Sequence, residues 1–307
     1  MHPVAWITHD ACRRHDMGPM HPESPARLAA IRDRLQACGL LDFFHWAEAP
    51  EATREQLLAV HGAEMVEAAF AAHAGDGHRV VDEDTVQAPD SLPAALRAAG
   101  ACVHGVDLVL GNQAAFAFCA VRPPGHHAER DRAMGFCLFN NVAVGAAHAL
   151  ARGLERVAIL DFDVHYGNGT ADIFKGDDRV VLYSTYQHPL YPQWTGAPDA
   201  PNLVDVPLRP YSGGAAFRAA VTEHWLPRLE RQRPELILVS AGFDAHADDP
   251  LADLRLSFDD FRWIGTVIRD VAAHCCEGRV VATLEGGYDL HALARSVESF
   301  IQPFAGL

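Results

Sequence analysis

Basic residues are scarce in this chain. Its 307 residues carry 25 Lys+Arg against 40 Asp+Glu, a formal net charge of -15. That argues against sequence-independent binding of DNA or RNA, which needs a basic surface. Cysteine is also sparse, 7 in number and so odd, with no CxxC pair and no regular spacing. A disulfide framework or a cysteine-based zinc knuckle is therefore not expected, and the vicinal pair Cys275-Cys276 reads as buried packing. No run approaches the roughly 18 apolar residues of a membrane helix, and Met1-His2-Pro3-Val4-Ala5-Trp6 has neither a basic n-region nor a long apolar stretch of the kind that targets secretion. These absences predict a cytoplasmic protein with no nucleic-acid or membrane partner. Linkers, repeats and low-complexity runs are missing too. With 49% hydrophobic and 21% charged residues, the composition is that of a globular protein, and residues 1–307 read as a single domain.

What is present is an alternation of strands and helices. Apolar segments at Val4–Ile7, 114–121, 156–160, 180–183, 236–240 and 280–284 read as strands. A stretch with Ser24 as its cap and Pro25 as its first residue, then 53–60, 62–73, 91–110, 141–151, 170–174, 214–231, 258–274 and 290–304, read as helices. Between strand 180–183 and Pro201 lies a long connection. This order implies an α/β fold, a parallel sheet covered on both faces; periodicity alone leaves open whether it is an open doubly wound sheet or a closed barrel.

Four of the strands run apolar and then end in chemistry. Phe118 to Val121 ends in Arg122-Pro123-Pro124-Gly125-His126-His127. Val157 to Leu160 ends in Asp161-Phe162-Asp163-Val164-His165, where alternation puts Asp161, Asp163 and His165 on one face, before Gly167, Gly169 and a helix that Thr170 can cap. Ile237 to Ser240 ends in Ala241-Gly242-Phe243-Asp244, and Val281 to Leu284 in Glu285-Gly286-Gly287-Tyr288. Ligands of open α/β sheets sit at the carboxyl ends of strands, so the four clusters meet in one crevice if these strands are neighbours. Two carboxylates and an imidazole buried on one side are costly unless a cation sits there. Asp163, His165 and Asp244 form a three-ligand set that cancels a divalent charge, as in catalytic zinc sites. His126 and His127 are candidate bases near neutral pH. Tyr288, behind a Gly-Gly turn, is a candidate donor to a developing oxyanion. Together they point to metal-assisted hydrolysis of an amide or ester.

These motifs resemble those of the histone deacetylase and acetylpolyamine amidohydrolase superfamily, which shares its fold with arginases. The matching residues are Arg122 to Ala128, Gly135-Phe136-Cys137-Leu138-Phe139-Asn140-Asn141, Asp161 to Thr170, Gly242 to His246 with Asp249-Pro250-Leu251, and Leu284 to Tyr288. His21-Pro22-Glu23 and Asp84-Thr85 match more loosely. The matches span nearly the whole chain in the family's order, and the Glu-Gly-Gly-Tyr and His-x-Gly-Asn-Gly-Thr forms are similar to the class II and bacterial branch. The resemblance implies a single-domain three-layer α/β/α architecture, the arginase-deacetylase fold, with a mostly parallel eight-stranded sheet. It implies zinc, or iron(II), on Asp163, His165 and Asp244. His127 would be the main general base and acid, and His126 its electrostatic companion. Asp161 would orient His126 and, with Ser184, hold a structural potassium ion. Tyr288 would bind the substrate carbonyl. Phe136 and Tyr191 would wall the acyl-lysine tunnel, with Gly135 and Gly286 beside it and Asp84 at its rim.

Two positions depart from the family pattern. Asn168 stands where some members have an Asp behind the second His, which predicts a less basic His127. Tyr166 stands where most members have a second His, which spares the metal ligands but alters their surroundings. The implied substrate is an acetylated lysine or an acetylated small amine such as a polyamine. An inactive acyl-lysine binding module would be expected to lose Tyr288, a His or a ligand, and this chain keeps them all. Oligomeric state is not encoded in these patterns.

Overall fold

The computed structural model describes residues 4–74, 79–193 and 200–307. Its ten strands are β1 (Val4–Thr8), β2 (Phe44–Glu48), β3 (Arg79–Val80), β4 (Val86–Gln87), β5 (Phe116–Cys119), β6 (Val157–Asp161), β7 (Val180–Gln187), β8 (Leu203–Leu208), β9 (Leu236–Ala241) and β10 (Val280–Leu284). Eight form one sheet in the order β2-β1-β5-β10-β9-β6-β7-β8, with every pairing parallel. β3 and β4 make a small antiparallel hairpin apart from it. The sheet is open, not a barrel. The last two strands of the sequence fill the gap between β5 and β6, so the four strands that end in chemistry are the middle four.

Those central strands are apolar along most of their length because both of their faces are covered. On one face lie α5 (Ser91–Leu110) and α6 (Asn141–Ala151). Gly105 of α5 approaches so closely that a Cβ there would stand 2.7 Å from Val281. On the other face, α10 (Phe258–Cys275) and α11 (Leu290–Ile301) supply Phe261 and Phe300, which pack on Phe162 and Phe243. Phe300 also reaches Phe116, and α2 (Ala26–Ala37) lies against α11.

Several details differ from the sequence reading. Both edge strands, β2 and β8, went unseen; each mixes polar with apolar residues, and Pro207 sits in β8, as is tolerated only at an edge. α2 begins at Ala26 with Pro25 as its cap residue. The helix after β6, α7 (Asn168–Phe174), begins at Asn168. Thr170 therefore lies inside it, and its hydroxyl receives the side-chain amide of Asn140 at 3.1 Å. α5 is long and apolar enough to satisfy a length-and-composition test for a membrane span, contrary to expectation, but most of it is buried in the core. The long connection before Pro201 lies partly outside the described residues.

Candidate active site

The middle strands end side by side, and their following turns bring the polar clusters together. The Asp161 carboxylate is fully buried. Its Oδ2 lies 2.9 Å from His126 Nδ1, while its Oδ1 accepts the N–H of Asp163 at 3.1 Å. Asp163 repeats that turn, accepting the His165 N–H at 2.8 Å. Its other oxygen takes the Gly286 N–H at 2.9 Å. A Cβ on Gly286 would come within 1.9 Å of Asp244 Oδ2, so only glycine allows this turn against two carboxylates. Asp244 is fixed by the Val164 N–H, which donates to Oδ1 at 3.0 Å.

Asp163, His165 and Asp244 offer ligand atoms all within 4.8 Å of one another, and all three residues are buried. His165 Nδ1 stands 3.0 Å from Asp163 Oδ1 and 3.2 Å from Asp244 Oδ2. The second approach lacks hydrogen-bond geometry and leaves Oδ2 as a buried oxygen with no hydrogen-bond partner among the described residues. The charges record the same tension. Burial works to lower His165, but its hydrogen bond to Asp163 and the negative charge of Asp244 beside it outweigh that and push its pKa up to about 10. Burial and the charge of Asp163 push Asp244 up, while Asp163 is held below its ordinary value, since His126 and His165 outweigh its burial. Two carboxylates thus crowd one imidazole nitrogen. A divalent cation at the same point would satisfy both and leave the imidazole neutral, so the donor set fits a metal.

Beside this trio the two histidines part ways. Burial would lower His126, but the negative Asp163 and Asp161 raise it well above its usual range. Burial lowers His127 too, and the neighbouring His126 and His165 drive it further down. His127 Nδ1 lies 2.7 Å from Asn168 Oδ1, and the Asn168 amide nitrogen donates to Glu129 Oε1 at 2.8 Å. With that amide committed, Nδ1 carries the proton and Nε2 is left as a base. Gly135 lets the ring lie flat against its backbone, with φ at +58° and a hypothetical Cβ 2.5 Å from the ring.

A cavity of about 660 Å³ opens onto this floor. His127, His165 and Tyr288 line its base, and Gly135, Phe136, Tyr191 and Asp84 line it along with Leu190, Leu251, Met17 and Met20. Tyr191 stands edge-on to His127, ring centres 5.1 Å apart, and Phe136 edge-on to Tyr288 at 6.0 Å. Burial and the nearby Asp244 raise the Tyr288 phenol well above its ordinary range, which keeps it a donor. The backbone carbonyl of Asp84 accepts from His21 Nε2 at 3.0 Å, and Glu83 lies next to it in the wall. Asp161, Asp163, Asp244, Asn168, His126 and Gly286 sit behind the lining. Ser184 pairs with Asp161 across β6 and β7, and its hydroxyl is buried without a hydrogen-bond partner among the described residues.

Several supporting residues had no role in the sequence reading. Glu285 Oε2 accepts the backbone N–H groups of Gly125 and His126 at 2.7 and 3.2 Å, and Ser240 donates to its Oε1 at 3.1 Å. Arg27 donates to the carbonyls of Glu285 and Gly287 and lies 5.1 Å from the Tyr288 ring centre. Glu23, one helical turn before it, ties Arg27 to Arg122. Asp249 accepts the Tyr288 N–H at 2.7 Å. Thr85 accepts the Phe136 N–H at 2.9 Å. The available signal was weak: Glu23 and Arg27 at i,i+4, and acids inside motifs already noted. Tyr166, at one of the two departures, donates to Asp205 Oδ2 at 3.2 Å. Asp205 is pushed up to about 6, mainly by burial, with the negative Asp161 adding to the Tyr166-opposed rise.

A parallel sheet with buried carboxylates, a histidine pair and a tyrosine around one cavity is an arrangement that suits metal-assisted hydrolysis of an amide. Comparison with known proteins agrees. The profile of the histone deacetylase domain matches residues 21–304. A histone deacetylase-like amidohydrolase of Pseudomonas aeruginosa is 40% identical over 295 residues, covering 94% of this chain and 75% of the relative. The polyamine deacetylase HDAC10 of Mus musculus is 34% identical over 308 residues, covering 92% of this chain and 45% of the relative. The crystal structure of the HDA15 HD domain superposes with a TM-score of 0.93 at 31% identity, covering 99% of this chain and 88% of the other. The chain belongs to the histone deacetylase family.

Proposed function

We propose that this protein is a zinc-dependent deacylase that removes acetyl groups from lysine-type amines. The observation that carries the reading is one cavity whose base holds His165 of the Asp163–His165–Asp244 trio, His127 with Nε2 free, and Tyr288. Zinc on that trio, with iron(II) as the alternative, supplies Lewis-acid activation of the acyl carbonyl and of water. His127 Nε2 takes the proton of the attacking water and returns it to the departing amine. His126, held by Asp161, adds positive charge next to that base. Tyr288 donates to the oxygen on which negative charge develops. Phe136 and Tyr191 grip the methylene stem, and Asp84 meets the substrate at the rim. A potassium ion at Asp161 and Ser184 fits a Ser184 hydroxyl that has no hydrogen-bond partner among the described residues.

The chain works, in this reading, as one domain over residues 1–307, and its seven free cysteines suit a reducing compartment such as the cytoplasm. Lysine is favoured over polyamine by the lining. Met17, Met20, Leu190 and Leu251 give the entrance apolar surface for a peptide, while Glu83 and Asp84 are its only carboxylates among the described residues. The test is kcat/KM for an acetyl-lysine peptide against acetylputrescine and acetylspermidine, on protein stripped of metal and reloaded with zinc. Peptide hydrolysis that returns with zinc is expected. A polyamine preference above about tenfold, roughly 1.4 kcal/mol in transition-state binding, overturns the substrate, and no hydrolysis of any acylamine overturns the activity.

A further inference from the structure

The row that holds Asp161 and Ser184 does not end there. Asp161 pairs with Ser184, and Ser184 with Asp205, across β6, β7 and β8. Directly paired residues of neighbouring parallel strands project to the same face, about 4.8 Å apart. Ser184 is therefore flanked by a carboxylate on either side. Two atoms of this row are buried with no hydrogen-bond partner among the described residues, Ser184 Oγ and Asp205 Oδ1. Ser184 itself is fully buried. Leaving such groups unanswered is costly, and a carboxylate oxygen beside a hydroxyl oxygen is the donor type that hard cations take.

Tyr166 gives the row its direction. Its hydroxyl donates to Asp205 Oδ2 at 3.2 Å, which ties down one carboxylate oxygen and leaves Oδ1 as the one without a partner. We propose that Asp205, oriented by Tyr166, is a further ligand of the monovalent-cation site, alongside Asp161 and Ser184. This rests on the reading that those two residues hold such a cation. With Asp205 included, two carboxylates face one ion, so the site binds it more tightly than a single carboxylate could. The carboxylate of an edge strand then becomes tied, through the ion, to the residue that holds His126.

The experiment measures potassium binding in the full chain. Thermal unfolding midpoints and calorimetric titrations are recorded against potassium, with choline as the inert control, for wild type and for Asp205→Asn. Asparagine keeps the shape and still accepts from Tyr166, but removes the charge. Potassium is expected to stabilise wild type, and half-saturation in Asp205→Asn to rise roughly fivefold or more. Unchanged half-saturation in the variant overturns the role of Asp205 while leaving the cation site intact. A wild type that binds and responds to potassium no better than to choline overturns the cation site itself, and the inference with it. Wild-type crystals grown with thallium(I) supply a second reading that needs no variant. Anomalous density bonded to Asp205 Oδ1 as well as to Ser184 Oγ supports the assignment; density on Asp161 and Ser184 alone overturns it.

Discussion

Replacing Asn168 with aspartate tests whether a neutral amide sets the working pH of His127. In the native chain the imidazole faces Asn168 Oδ1 at 2.7 Å, and burial together with His126 and His165 holds its pKa below the ordinary 6.5. A divalent cation on the neighbouring ligands would push in the same direction. A base must be unprotonated, so activity disappears as pH falls through that lowered pKa, and the acid limb of kcat/KM belongs below pH 6.5. A carboxylate at position 168 favours the charged imidazole. At 2.7 Å and an effective dielectric of about 20, the bare attraction is about 6 kcal/mol. Desolvating the new charge removes several of these, and opposite charges at such range typically shift a pKa by about 1–3 units, or about 1.4–4 kcal/mol. Glu129 complicates the exchange. Its Oε1 now receives the Asn168 amide at 2.8 Å, and in the variant it would meet another oxygen. Asn168→Asp alone should therefore fall at the low end, with the limb rising by about one unit. Combined with Glu129→Gln, which restores a donor, the limb should rise further. The assay is the pH dependence of kcat/KM from about 5 to 9 on an acetyl-lysine peptide, with metal content checked at each end. A limb that stays in place, or moves down, refutes the claim that His127 is the titrating base.

Other substitutions address the remaining parts of the site. Asp163→Ala or His165→Ala should abolish binding of one equivalent of zinc, read by elemental analysis; a variant that keeps its zinc removes that residue from the ligand set. Tyr288→Phe should lower kcat by roughly 10²–10³, the scale of one oxyanion donor, with metal and fold retained, and wild-type kinetics would count against the assignment. Glu285→Ala strips the acceptor from two backbone N–H groups and the Ser240 hydroxyl, each costing about 1–3 kcal/mol when left unanswered. A loss of at least about 3 kcal/mol in denaturant unfolding is expected, and a change under 1 kcal/mol would show that water fills the gap.

The legible part of this molecule was the part where burial and polarity conflict. Four apolar strands ending in charged residues announce a site because nothing else makes that pattern tolerable. Alternation grouped Asp161, Asp163 and His165 in the sequence; in the fold β6 stops at Asp161 and turns carry the other two, while the sheet order makes the four strands neighbours. The metal-ligand trio could be grouped from residue type alone, since only a cation reconciles its charges. What pattern reading could not supply was order. Nothing in 236–241 or 280–284 says that these late strands slot between β5 and β6, because that choice is made by packing against α5 on one face and Phe300 on the other.

The unread residues fail for a different reason. β2 and β8 are edge strands, each with one unpaired side, so their sequences obey weaker rules than the buried strands. Asp205, in β8, carries no local signal at all; it gains meaning only from its register with Ser184. The same holds for Glu285, Arg27 and Asp249, whose partners lie far away in the chain or are backbone groups. Backbone N–H and carbonyl groups leave no trace in residue identity. A sequence can therefore advertise the atoms that meet the substrate, but the atoms that hold those in place are chosen by geometry. That is why Gly286 looked like part of the substrate wall and proved to lie behind it. Its missing Cβ is required by Asp244 Oδ2, 1.9 Å from where that atom would stand. Its N–H is required by Asp163, and neither demand involves the cavity. The tolerance of this fold for new substrates should accordingly lie in the lining, at Met17, Met20, Leu190 and Leu251, where side chains meet space. The turns behind it answer to carboxylates on every side and have no such freedom.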